Sequence, residues 1–245
     1  MAVTILGAGE YLQYVYPGNG GVRGTVNIQV LAGYYQNRFT GAVPGDLIIA
    51  AVGTSRQPVS YNAGWTQVVN TGAGTSFVSV YTKLFEGDAD DDSLILTFAG
   101  TSVSSVTSFA HLRSPSGFDA ASIKFNQQNY ATNAGASYAL VAAMGAIASG
   151  EVGLMLGGCH SATAYMNNTT GSSGTNWNVL MDGGVFGLKV AGAAAAAYST
   201  FMGTPGPPSV TFNLSGQSMN KFIFACVMRE ATPPPPAGGG LFWGQ

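Results

Sequence analysis

Residues 45–55 read GDLIIAAVGTS, and residues 150–161 read GEVGLMLGGCHS. Each is a glycine and a carboxylate followed by an apolar run, bounded by glycine and small polar residues. Such a run is too short to span a bilayer and has the length and punctuation of a buried strand. The segments that follow are also alike. After the first run come GWTQVV (64–69), FVSVYTKLF (77–85), SLILTFAG (93–100) and VTSFAHLRS (106–114). After the second come NWNVLM (176–181), VFGLKVAG (185–192), SVTFNLSG (209–216) and NKFIFACVMRE (220–230). Gly45-Asp46 matches Gly150-Glu151 at an offset of 105, and Trp65 matches Trp177 at 112. Phe98 matches Phe212 at 114, and Phe109 matches Phe224 at 115. The order is kept while the offset drifts, as small loop insertions after a tandem duplication would make it.

The remaining pattern is that of strands. Short apolar runs rich in β-branched and aromatic residues alternate with Gly, Pro, Asp and Ser. Phe77, Ser79 and Tyr81 share one face of a strand, and Val78, Val80 and Thr82 the other. Helical periodicity is scarce. Its best candidates are the alanine-rich VAGAAAAAYSTF (190–201) and ALVAAMGAIA (139–148), and the second reads better as strand. The expected fold is all-β, with two tandem antiparallel β-sandwich units of jelly-roll or immunoglobulin-like type packed together. The expected segments are an N-terminal arm (1–23), a first unit (24–114), a connector (115–135), a second unit (136–230) and an extended tail (231–245).

Composition narrows the function classes. Charged residues make up 8% of the 245, about a third of the share in an ordinary soluble domain. No uncharged apolar run reaches the length of a membrane span, and MAVTILGAGE lacks the basic start of a secretory signal. With a net charge of −2 and no basic cluster, no electrostatic footprint for nucleic acid exists. A surface of Gly, Ser, Thr, Asn and Ala suits packing against protein neighbours. Cys159 and Cys226 sit in apolar runs and read as buried free thiols.

The motifs that suggest chemistry have simpler accounts. Gly7-Ala8-Gly9 opens like a dinucleotide fingerprint, but Leu12 replaces the third glycine and Pro17 closes off a following helix. A turn between strands is expected instead. Asp88, Asp90, Asp91 and Asp92 crowd one loop, yet Ser93 and Ala99 occupy the positions where a calcium loop needs glycine and glutamate. Cys159 and His160 are neighbours on a strand, so they point to opposite faces and form no nucleophile–base pair. His111 reads as a core or interface histidine. GQSMN (216–220) lacks the second glycine of a nucleophile elbow. No catalytic residue, cofactor site or metal site is assigned, and no enzymatic activity is expected.

With its order Gly-Asp, apolar run, Gly-Trp, aromatic strand, VTF-like strand and closing apolar strand, the chain resembles a module common in tailed-bacteriophage structural proteins. The match covers most of residues 24–114 and, more loosely, 136–230, where Glu151 replaces the aspartate and Asn176-Trp177 the Gly-Trp. The resemblance implies a non-enzymatic virion component, in tail, fibre or capsid decoration, assembled in the host cytoplasm. Its partners would be other virion proteins and copies of itself, trimers being common among such proteins.

Two surface features fit that implication. The chain ends ATPPPPAGGGLFWGQ (231–245), where four prolines make an extended rod and three glycines a swivel. Leu241, Phe242 and Trp243 at the tip would each bury about 1.5–3 kcal/mol of apolar surface on a partner, which is the pattern of a docking peptide. Tyr34 and Tyr35, among Gly, Asn and Gln, are candidate surface-recognition residues, and a host-surface glycan is the alternative partner they suggest.

Overall fold

A computed structural model describes residues 4–14, 25–29, 43–74, 76–87, 93–99, 103–114, 118, 127–135, 140–143, 151–160, 168–175, 178–182, 190–198, 209–215 and 219–229. Among these residues the regular structure is entirely β, so no helix is long and apolar enough to cross a membrane. The first eight strands are β1 (Thr4–Tyr14), β2 (Thr25–Gln29), β3 (Leu47–Thr54), β4 (Pro58–Tyr61), β5 (Thr66–Ala73), β6 (Ser76–Leu84), β7 (Ser93–Phe98) and β8 (Ser104–Arg113). They are followed by β9 (Gln127–Gly135), β10 (Leu140–Ala143), β11 (Glu151–His160), β12 (Asn168–Thr175), β13 (Asn178–Asp182), β14 (Val190–Tyr198), β15 (Ser209–Ser215) and β16 (Met219–Arg229).

Every ladder is antiparallel. A first large sheet has the order β1-β8-β3-β6-β5, and a first small sheet has β2-β7-β4. A second large sheet runs β9-β16-β11-β14-β13, and a second small sheet β10-β15-β12. Raising each strand number by eight converts the first pair of orders into the second.

The run Leu47–Val52 sits at the centre of this arrangement and is fully buried. Its alternate residues serve two different cores, which explains an uninterrupted apolar run where a one-sided strand would alternate. Ile48, Ala50 and Val52 join Tyr81, Leu94, Leu96, Phe98 and Phe109 between the first large sheet and the first small sheet. Leu47, Ile49 and Ala51 join Val78, Val80, Leu154, Leu156, Phe222 and Phe224 between the two large sheets. The layer order is therefore small sheet, large sheet, large sheet, with β10 of the second small sheet against β9 and β16. A sheet covered on both sides has little room for charge, and the central strand β3 carries none.

The structure bears on four of the sequence readings. Gly7-Ala8-Gly9 lies inside β1 and pairs along β8, with a bulge between Ile5 and Gly7. It is strand rather than turn, because the missing side chains leave the ladder intact. The alanine run of residues 190–198 is strand β14, paired on both sides with β13 and β11. Two ladders outweigh alanine's intrinsic helix preference, which is about 0.5 kcal/mol per residue. The match of Phe109 with Phe224 is off by one. Leu47 stands opposite Leu112 and its counterpart Val152 opposite Met228, so Phe224 corresponds to Ser108. Phe109 faces the small sheet and Phe224 the opposite large sheet, as a one-residue shift on a strand requires. Within the segment read as a connector, residues 127–135 form edge strand β9.

Candidate functional site

The Gly-Asp pair is the most constrained polar feature of the described residues. Gly45 has φ +94°, a conformation in which a Cβ would be strained. This bend brings the Gly45 amide to the Phe85 carbonyl at 2.9 Å and the Phe85 amide to the Asp46 carbonyl at 2.8 Å. The loop entering β3 is thus tied to the end of β6. The Asp46 side chain, 1% exposed, turns inward and accepts three hydrogen bonds. Arg113 donates from Nε to Oδ1 at 2.8 Å and from a terminal nitrogen to Oδ2 at 2.7 Å, and the Val43 amide donates to Oδ2 at 2.9 Å. The Arg113 geometry is bidentate, the strongest form of this pair. His111 Nε2 lies 3.5 Å from Oδ2.

Burial alone would raise the Asp46 pKa. The Arg113 and Val43 hydrogen bonds and the charges of His111 and Arg113 outweigh it and hold the carboxyl below 3.8. Burial lowers the His111 pKa below 6.5, with Asp46 opposing and Arg113 reinforcing the shift. An ionised aspartate beside a neutral, wholly buried histidine could resemble a catalytic pair. Here His111 is 0% exposed, and the pair sits inside the framework. The cluster is a clamp that fixes where β3 and β8 start and end.

The Gly-Trp pair does the same for the turn between β4 and β5. Gly64 has φ +83°, and a Cβ there would stand 3.2 Å from the Lys83 amino nitrogen. The missing side chain is what lets the lysine stem lie under the turn. Trp65, 5% exposed, covers the core between the first large and small sheets and donates from its indole nitrogen to the Ser93 carbonyl at 3.0 Å. Asn62 adds a two-way link to β7, donating to Ser93 and accepting from the Ile95 amide at 2.8 Å. At the open edge beside this turn, the exposed Tyr61 meets the ring of buried Tyr81 edge-on at 5.2 Å. Gln67 donates to the Tyr81 hydroxyl at 2.9 Å. Burial, against the Gln67 and Ser79 hydrogen bonds, pushes that phenol up to about 12.

Several expected site residues lie outside the described residues: Tyr34, Tyr35, the acidic loop Asp88–Asp92, Trp177, and the tail residues Leu241, Phe242 and Trp243. Cys226 is a buried free thiol whose pKa burial raises. Cys159 and His160 are consecutive on β11. Among the described residues, no three His, Cys, Asp or Glu side chains gather where an ion could be held. Sequence reasoning missed the partner of Asp46. The signal was present, because both closing strands end in arginine and Glu151 stands opposite Arg229 in the ladder. Comparison of the chain with family models, curated proteins and solved structures finds no match.

Proposed function

We propose that this chain is a non-enzymatic structural protein of a bacteriophage virion, made of two tandem eight-strand sandwich units and a C-terminal docking tail. It acts by occupying a fixed place among neighbouring subunits, as a tail or fibre component or a capsid decoration. The observation that carries the reading is the Gly-Asp/Gly-Trp pattern that resembles phage structural modules. In the first unit the motif residues support the framework: Asp46 clamps Arg113, and Trp65 covers the core. The recurrence of one strand order eight strands later supports the tandem units. Residues 231–245 would supply the docking contact, through Leu241, Phe242 and Trp243.

The test is incorporation. In a phage that encodes the chain, the full-length protein should co-purify with particles at fixed stoichiometry. A version lacking residues 231–245 should fold but incorporate or oligomerise poorly. Normal assembly of the truncated protein would remove the docking role, and absence of the full-length protein from purified particles would remove the virion reading.

A further inference from the structure

We infer that the two large sheets meet as the subunits of a twofold-symmetric dimer do, so that the chain is a fused pseudo-dimer whose first half recognises a second copy of its own architecture through the inner face of the large sheet. The inference rests on the tandem-unit reading above and adds the geometry of the contact. In a twofold interface, if element i touches j on the partner, then j touches i; a head-to-tail contact lacks this reciprocity. Counterparts here are strands eight apart. β8 packs against β11 and β14, and β16, the counterpart of β8, packs against β3 and β6, the counterparts of β11 and β14. β1 packs against β14, and β9 against β6. β3 packs against β11, its own counterpart, which puts the pseudo-axis between those two strands.

The side chains agree and show how the halves have diverged. The Phe222 ring of β16 lies directly on Gly53 of β3, where any Cβ would overlap it. The counterpart of Gly53 is Gly158, again glycine, and the residue of β8 corresponding to Phe222 is Val106. On that mirror side the residues of β8 are smaller, and the Ser108 hydroxyl reaches across to donate to the Gly157 carbonyl at 2.5 Å. The first half is therefore matched to the second half. Two first halves would leave Gly53 facing valine where it now receives a ring.

A specific protease site inserted between Ala121 and Ser122 of the full chain tests this. After cutting, the two fragments should elute together at the uncut size at micromolar concentration and part only on strong dilution. Gly53→Leu and Gly158→Leu should each raise the dissociation constant at least tenfold, and Phe222→Ala should recover part of the Gly53→Leu loss. Fragments that separate at micromolar concentration overturn the inference; if they stay folded, the two-unit reading survives, and if they unfold, it goes too. A loss at Gly53 with no effect at Gly158 overturns the reciprocity.

Discussion

Asp46 shows how much one residue fixes. Its carboxylate joins the entry of β3 to the end of β8 through two hydrogen bonds from Arg113 and accepts a third from the Val43 amide of its own loop. Asp46→Ala should destabilise the fold by about 2–4 kcal/mol, since hydrogen bonds to a buried charge are the costly ones to lose; denaturant unfolding measures this. Acid should act on the same cluster in two stages. His111 has a folded pKa below 6.5, chiefly through burial, so below that pH the unfolded chain binds a proton that the folded chain resists. Stability should fall as pH drops through 6.5 towards the folded value. Asp46, held below 3.8, keeps its full contribution above that pH and loses it as pH falls further. His111→Gln should flatten the first stage. Unfolding midpoints that stay constant from pH 7 to 5 in the native chain would contradict this assignment. The aspartate was legible in the sequence as the start of a strand, but its arginine lies 67 residues away, and only the ladder brings them together.

At the scale of the element, strands with strong internal signals were legible and strands without them were not. The β-branched runs 47–54, 77–84 and 93–98 identify themselves. β9, with the sequence QQNYATNAG, and β14, with VAGAAAAAY, carry no apolar alternation, and their ladders decide their conformation. Tertiary pairing also reveals two-sided burial, which a sequence of small and apolar residues only permits. The turn before β5 gives two further expectations. Gly64→Ala forces a left-handed backbone onto alanine and crowds Lys83, and should cost about 1–2 kcal/mol. Trp65→Ala empties a core position and strips the Ser93 carbonyl of a donor, and should cost about 3–5 kcal/mol. Thermal or denaturant unfolding checks both. Equal, negligible losses would mean that the Gly-Trp pair serves something other than this turn.

For the molecule as a whole, the internal repeat was legible because glycine, acid and tryptophan mark turns and core in a fixed order. The face-to-face stacking of the large sheets was not, since nothing in a single strand says whether its second face meets water or another sheet. That contact makes Gly53 and Phe222 a coupled pair: Gly53→Ala should destabilise the protein, and Phe222→Leu should relieve part of the loss, with a coupling of about 1–3 kcal/mol in a double-mutant cycle. The stacking also explains a chain whose described core residues are mostly engaged in holding sheets together. The virion reading proposes that such a protein works through its outer surfaces and its tail, and this is its central claim. Labelling the protein on intact, purified phage particles tests it most directly. The account predicts discrete, repeated labelling at one location, head or tail; particles free of label, with the protein recovered elsewhere in the infected cell, would contradict it.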